Sequence, residues 1–566
     1  MKLRIVGRLL PLLVFGLTVA AEDAVPQPID VGKDVSVFLA IPDLSKAIDN
    51  IEAIGGQFNP NVHKGQTKMI LGMTLGDPGL NNLDTSKPVV AMVFKTPPAN
   101  AGGPPPFAIY VPAKAAAPYD QFAQGAQLLS SYKNGVLIVA KTQDALTTAE
   151  EQLPAYQKIA DAKIAADARI YVSVSSLLAT YDQQIKAGVA MMQQAVAAGP
   201  PGAPAGMNAQ AIGKVLNIEL KALLEILNEV DSQQLDLTLK ADSITVDSLL
   251  TAQKGSALAD LFSAPDPGAS KTLRVLPAGG SLVGAMRMNQ KGYGASSKKI
   301  LETLSKDPDF SSLVTPDLQS LFTSIGELVN GDLAFAFSSD ATTPFKLQEA
   351  VSITDEKKYL DTMTKISALM SPDGPIGKFY ADMGMKLNAT FEKSYRKHGN
   401  TDVHRYKNDV DLGNLPPAQA AQMKAFMKDM DIAIVNNMVL LANDPADVDS
   451  MIDKALAGDA AKPDVSLESI TVFGGGKSAY FDIDIIGFIK AIVTSMPGNP
   501  AAPMFAQLKA SAPIVVAGSM DSGRLFLQTK IPLAPFVELV TLIQGAGAGR
   551  AQPPAPPPPD PKNEKF

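Results

Sequence analysis

Residues 136–153 read VLIVAKTQDALTTAEEQL, and residues 439–456 read VLLANDPADVDSMIDKAL. Aligned without gaps they share four identities in eighteen positions, too few to decide anything alone. Their pattern decides more. Each opens on an apolar run of strand length, passes a residue able to cap a helix, and closes a helical period on Leu153 or Leu456.

The flanks repeat in the same order. Upstream, KPVVAMVFK (87–95) corresponds to NGDLAFAFS (330–338), and each is followed by a strand opening Pro-Phe, at Pro106-Phe107 and Pro344-Phe345. Downstream, RIYVSVSSLL (169–178) corresponds to SAYFDIDIIG (478–487). Each of these leads into a helix and then a hairpin with Asp-Ser at its turn, Asp242-Ser243 and Asp521-Ser522. Self-similarity over that span predicts two tandem related halves, 33–265 and 272–545.

Within the first half, periodicity predicts the strand VSVFLAI, a helix from Asp43 to Ile54, two strands, a helix around Tyr119 to Leu129, and the strand GVLIVA. This β-α-β-β-α-β order is that of ferredoxin-like units, and a similar series restarts at Ile170. The expected class is α+β, with antiparallel or mixed sheets carrying helices on one face. Leu177, Leu178, Tyr181, Ile185, Val189, Met192 and Val196 step by three and four, as do Ile212, Val215, Leu216, Leu223, Leu227 and Val230 across the loop GPPGAPAG. Both stripes are expected to be core seams.

The second half carries an insert, 371–431, where the first has almost nothing. It contains ATFEKSYRKHGNTDVHRYKN, a hairpin turning at Gly399-Asn400, and a helix on which Met423, Met427 and Met430 share a face. At the N-terminus, Lys2, Arg4 and Arg8 precede the apolar run Leu9 to Ala21, which is the organisation of a cleaved signal peptide (1–21), too short to span a bilayer. No later segment is long and apolar enough to do so. The chain ends in AQPPAPPPPDPKNEKF, whose residues 551–566 favour extended polyproline.

Composition excludes several functions. The 566 residues carry 50 basic and 57 acidic side chains, with the acidic excess growing once the three basic residues of the leader are removed, so nucleic acid is not an expected partner. The absence of cysteine excludes disulfides, thiolate metal sites, cysteine nucleophiles and N-terminal lipidation. A bacterial periplasmic or secreted location follows, for an envelope protein that is not a lipoprotein.

The motifs that promise chemistry are thin. VFGGGKSAY (472–480) looks like a phosphate loop, but Thr471 stands where its first glycine belongs and Ser478 opens a strand instead of a helix, so a glycine-rich hairpin turn is expected. Asp482 and Asp484, two apart on a strand, share a face as metal-binding carboxylates must, although a solvated face or a helix cap uses the same spacing. Asp444 before Pro445, followed by Asp447, Asp449 and Asp453, lacks the glycine and glutamate of a calcium loop and reads as a helix start. The chain has three histidines. His398 and His404 flank the hairpin turn among Arg396, Lys397 and Arg405, which marks an anion or ligand site or a solvated basic hairpin. Ser130 to Lys133 and Ser296 to Lys299 have the Ser-x-x-Lys spacing, yet the companion motifs of acylating enzymes are missing.

The expected role is therefore non-catalytic binding or scaffolding in the envelope, without cofactor, for a protein partner or an apolar small molecule. A carrier of an apolar ligand or lipid is the first alternative, suggested by 21 methionines. A hydrolase built on His398, Asp402 and His404 is the second, and it requires those side chains to converge.

Overall fold

The structure, a computed structural model, describes residues 28–548 apart from 96–104, 198–208, 266–269, 278–279, 307–314, 339–344, 383–385, 412–427, 459–466, 476, 495–501 and 510–511. The leader, the proline-rich tail, Met423, Met427 and the loop GPPGAPAG lie outside the described residues.

The protein is mixed α+β. Its strands are β1 (Val35–Ile41), β2 (Val89–Phe94), β3 (Phe107–Pro112), β4 (Leu129–Lys133), β5 (Val136–Ala140), β6 (Ala168–Ser173), β7 (Val230–Leu239), β8 (Ser243–Ala252), β9 (Leu282–Arg287), β10 (Val329–Ser338), β11 (Lys346–Ile353), β12 (Lys386–His398), β13 (Thr401–Asp411), β14 (Met430–Val435), β15 (Met438–Ala442), β16 (Ala479–Ile483), β17 (Ile514–Asp521) and β18 (Arg524–Pro532). Among the described residues these form one 18-stranded sheet. Its pairings run 4-5-3-2-1-6-7-8-18-17-16-9-10-11-15-14-13-12, and all are antiparallel. The split βαβ expected of ferredoxin-like units needs strands parallel across a helical crossover, so that expectation is corrected. Here β1 pairs directly with β2 and β6, both antiparallel.

Local sequence explains the connections. Asn134 and Gly135 join β4 to β5, and Asn436 and Asn437 join β14 to β15, all with positive φ as a two-residue hairpin turn requires. Gly399 turns β12 into β13 at the expected place, with φ 57°. Helices begin on side-chain caps: Asp43 accepts from the Lys46 amide, Thr142 from Ala145 and Asp444 from Ala446, with Pro445 in the first turn.

Opposite faces of the sheet are packed differently. On one face, the helices Gln143–Glu151 and Leu153–Asp161 cover Phe38, Val90, Met92, Tyr110 and Ile138, while Pro445–Ala457 and Glu468–Phe473 cover Ala334, Ala350, Leu440 and Tyr480. On the other face, a longer layer of helices includes Leu44–Phe58, Gln290–Leu304 and Glu356–Leu369. Each fully buried aromatic or aliphatic side chain in these clusters contributes about 1.5–3 kcal/mol.

Four expectations are corrected. Residues 129–133 form the edge strand β4, so the helix near Tyr119 ends earlier, at Gly125. Met430 opens β14 and belongs to no methionine-faced helix. The glycines after Phe473 join a helix to β16, with Gly474 at φ 81°, and do not turn a hairpin. The two helical stripes are core seams only in part: Val230 is buried, Leu177, Leu178, Tyr181, Ile185, Val189 and Leu227 are half-buried, Met192 and Leu223 are exposed, and the side chains of Val196, Ile212, Val215 and Leu216 lie outside the described ones.

Candidate functional site

The residues singled out in the insert come together as an ion network. A bulge in β12 between Glu392 and Arg396 puts Ser394 at φ 52° and turns both Tyr395 and Arg396 towards the helix Pro445–Ala457. Arg396 donates to Asp431 (3.1 Å) and Asp449 (2.6 Å), and Arg405 donates to the other oxygen of Asp431 (2.9 Å). Tyr395 donates to Asp431, and the Arg405 guanidinium lies 3.9 Å from the centre of its ring. Burial pulls both guanidiniums down, but hydrogen bonds to Asp449, Tyr395 and Asp431 for Arg396, and to Asp431 for Arg405, outweigh it and hold them above their ordinary values. His398 meets Asp453 (2.8 Å) and Asp449 (3.5 Å), and Lys397 meets Asp402 (3.3 Å).

This network replaces the expected anion site. An anion would have to displace carboxylates already hydrogen-bonded to the cations, one of them, Asp431, only 3% exposed. His404 stands apart from it. Register puts His404 opposite Ile432, on the face away from Val403 and Arg405, where it is buried and its Nδ1 accepts the Ser394 N–H at 3.0 Å. Burial pushes its pKa down. His398 and His404 therefore occupy opposite faces of the hairpin, and the convergence a hydrolase needs does not occur.

Asp482 and Asp484 turn to the starts of two different helices. Asp482 accepts the amides of Glu468 and Ser469 at the start of the helix Glu468–Phe473, and Asp484 accepts the Gly487 amide (2.8 Å) within the helix Ile485–Thr494. The cap alternative is the one found. Among the described residues no three His, Cys, Asp or Glu side chains are placed to hold a metal ion.

The feature that sequence reasoning did not single out lies at the middle of the sheet. Register aligns Leu235, Leu237 and Leu239 of β7 with Ser248, Val246 and Ile244 of β8, and these with Leu527, Thr529 and Ile531 of β18. The row continues through Val516 and Ile514 of β17 to Phe481 and Ile483 of β16. All of these apolar side chains are half-buried, although helices overlie this face. At one end of the row, Gln57, Gln507, Leu508, Ala534, Val537, Glu538, Thr541 and Leu542 line a groove of about 540 Å³. Its walls are three helices, Leu44–Phe58, Ala502–Ala506 with the residues after it, and Ala534–Ala548. Lys490 donates to the Leu508 carbonyl and the Lys509 amide to Glu538 (2.6 Å), which ties the groove walls together.

No family model matches this chain, and no curated protein does. Two solved structures do: crystal form III of TP0453, at 10% identity over 49% of this chain and 99% of the other, with a TM-score of 0.23, and crystal form I, at 10% identity over 49% and 98%, with a TM-score of 0.21. Likeness at that level carries no argument about fold or role.

The signal for the apolar row was present in the sequence as the alternation LDLTLKADSITVDSLL, which predicts a half-buried hairpin. What alternation cannot state is how tightly the buried side is covered. Of the ion network, the cations were visible and their acceptors were read separately, as a helix start.

Proposed function

We propose that this is an exported, non-catalytic binding protein that holds an apolar ligand, such as a lipid chain, between the middle of its sheet and the helices above it. The observation that carries the reading is the half-buried row from Leu235 to Phe481, with the groove between Gln57 and Leu542 beside the β7–β8 turn, where Gln57 donates to the Ala241 carbonyl. Apolar surface left incompletely covered across five adjacent strands is unfavourable by roughly 25 cal/mol per Å², and a chain-like apolar ligand removes that cost. The groove is in the size range of small-molecule sites, lined by Leu508, Ala534, Val537 and Leu542 together with the polar Gln57, Gln507, Glu538 and Thr541.

The reading includes two related halves, 33–265 and 272–545. It is supported by the pairing order, which reads alike from both wings towards β8 and β18: hairpins β4–β5 and β14–β15, then β3 and β11, β2 and β10, β1 and β9, β6 and β16, β7 and β17. The β8–β18 pairing joins the wings, with Ser248 opposite Leu527 near its centre. The periplasmic or secreted location rests on the leader alone. No helix among the described residues is long and apolar enough to cross a membrane.

The test is native mass spectrometry and lipid extraction of protein isolated from its own envelope. Wild type should carry a bound apolar ligand, and Val537→Trp with Leu508→Trp, which fill the groove, should lose it while keeping the wild-type circular dichroism. A ligand-free wild-type spectrum, or a ligand undisturbed in the filled variant, refutes the proposal.

A further inference from the structure

The opposite face of the same central strands is polar. Arg169 of β6, Asp236 of β7, Asp247 of β8 and Gln528 of β18 stand in one cross-strand row. Arg169 donates from Nε and Nη2 to both oxygens of Asp236, which satisfies that carboxylate. Asp247 is only partly satisfied: the Gln528 side chain hydrogen-bonds its carboxylate, but its Oδ1 is buried and without a hydrogen-bond partner. Diagonal to it on the same face, Gln234 is 5% exposed, and its Oε1 is also without a partner. Two buried acceptors at diagonal positions on one face thus lack a hydrogen-bond partner, which is unfavourable in a half-buried setting.

The charged groups around Asp247 do not supply that donor. Arg169 is committed to Asp236, and Lys530, diagonal to Asp247 as Gln234 is, and Lys477, whose positive charge favours the Asp247 carboxylate, both leave Oδ1 without a hydrogen bond. Asp236, directly across the strand, repels a second negative charge.

We propose that Asp247 is a proton-binding site at the joint between the two wings of the sheet: a proton on Oδ1, donated to the Gln234 carbonyl, completes the polar row, and its loss loosens β8 against its neighbours. One proton satisfies both orphaned oxygens and removes the repulsion with Asp236. Burial, then Asp236, pushes the pKa of Asp247 up and outweighs the Gln528 hydrogen bond and the Lys477 charge that pull it down, in keeping with that geometry. The β8–β18 ladder runs from Ser243 to Thr251 and is the described strand pairing that links residues 28–265 to residues 270–548, so a change at Asp247 acts on the joint itself.

The direction follows from linkage. A carboxyl whose folded pKa is raised favours the closed state fully below its unfolded value, near 3.9, and loses that contribution as pH rises to the folded value. Opening of the joint should therefore increase about tenfold per pH unit from the ordinary carboxylate range up to the Asp247 midpoint and level off beyond it. The experiment is a ¹³C NMR titration of the Asp side-chain carboxyls in the full chain, with Asp247 assigned by its absence in Asp247→Asn, combined with hydrogen exchange at the β8 and β18 amides. Wild type should titrate at Asp247 above the ordinary range, with the protection factors of the β8 and β18 amides, taken against the intrinsic rate at each pH, falling towards that midpoint. Asp247→Asn, whose amide can donate to Gln234, should keep pH-independent protection, and Gln234→Leu should move the midpoint down. An ordinary Asp247 midpoint overturns the proposal, as does joint exchange with the same pH dependence in wild type and Asp247→Asn; if Asp247→Asn fails to fold, the wild-type titration with Gln234→Leu decides.

Discussion

Asp431 offers the sharpest test of what holds the insert hairpin to the body of the protein. Its carboxylate is 3% exposed and is neutralised from two sides, by Arg396 and by Arg405. Replacing either arginine by methionine keeps an apolar side chain of similar length and leaves the other guanidinium on Asp431, so each single change should cost about 1 kcal/mol. The double change leaves a buried carboxylate with only the Tyr395 hydroxyl and no countercharge, which costs about 3–5 kcal/mol. The excess over the sum of the singles, about 1–3 kcal/mol, is the coupling that a shared acceptor implies.

Adding Asp431→Asn to the double variant removes the charge that has lost its partners and should restore most of the loss. The measurement is native-state hydrogen exchange at the amides of β13 and β14, which reads the local opening of this segment. Arg396→Met and Arg405→Met effects that add within about 0.5 kcal/mol, or a triple variant no better protected than the double, would refute the argument that burial of Asp431 makes the network cooperative.

Gly292 and Gly188 both sit in helices, yet Gly292→Ala should destabilise because its Cβ would meet the Asp260 carbonyl at 2.1 Å, whereas Gly188→Ala, with open space around it, should stabilise by about 0.5–1 kcal/mol in thermal melts. Because burial depresses the pKa of His404, the contribution of the neutral ring is present above its unfolded value near 6.5 and is lost as pH falls below it; the protection factors of the β12 amides, taken against the intrinsic rate at each pH, should fall on acidification in wild type and stay flat in His404→Asn, which retains an acceptor for the Ser394 amide. Tyr110→Phe removes the hydroxyl that donates to the Ala149 carbonyl at 2.9 Å in the buried first wing, and chemical denaturation should show a loss of about 1–3 kcal/mol. Met69, Ile70 and Met73 are each more than half exposed on one short helix, so changing all three to lysine should reduce binding of an apolar dye without lowering the melting temperature.

The sequence made the local units legible and left their association hidden, for a physical reason. Alternation, caps and turn residues act over a few positions, and they placed β5 with its following helix, the β7–β8 and β17–β18 hairpins, and the Gly399 turn. Pairings such as β1 with β6 or β8 with β18 depend on which apolar faces find each other after collapse, and no short-range pattern records that choice. Strand β4 escaped because LSSYK is polar and lies at an edge, where one face and one ladder are missing. At the insert, Arg396 and Arg405 stood out as a basic cluster, whereas Asp449 and Asp453 looked like a favourable first turn of a helix; spaced four apart on one helical face, they also serve the hairpin.

The middle of the sheet shows why its two faces have to be read separately. In β7, Leu235, Leu237 and Leu239 alternate with Asp236 and Thr238; in β8, Ile244 and Val246 alternate with Thr245 and Asp247. A slip of one residue between these strands would carry Asp247 to the apolar face and Val246 into the polar row, an exchange that burying a charge and exposing a branched side chain both oppose. The register is therefore strongly specified at the position where the wings join, and the half-burial of Leu237, Val246 and Leu527 is not the slack of a poorly determined hairpin. A strand pair held this firmly, yet covered loosely on its apolar side, points to the helical layer as the adjustable part. Filling that layer should stiffen the helices while leaving the strand register unchanged.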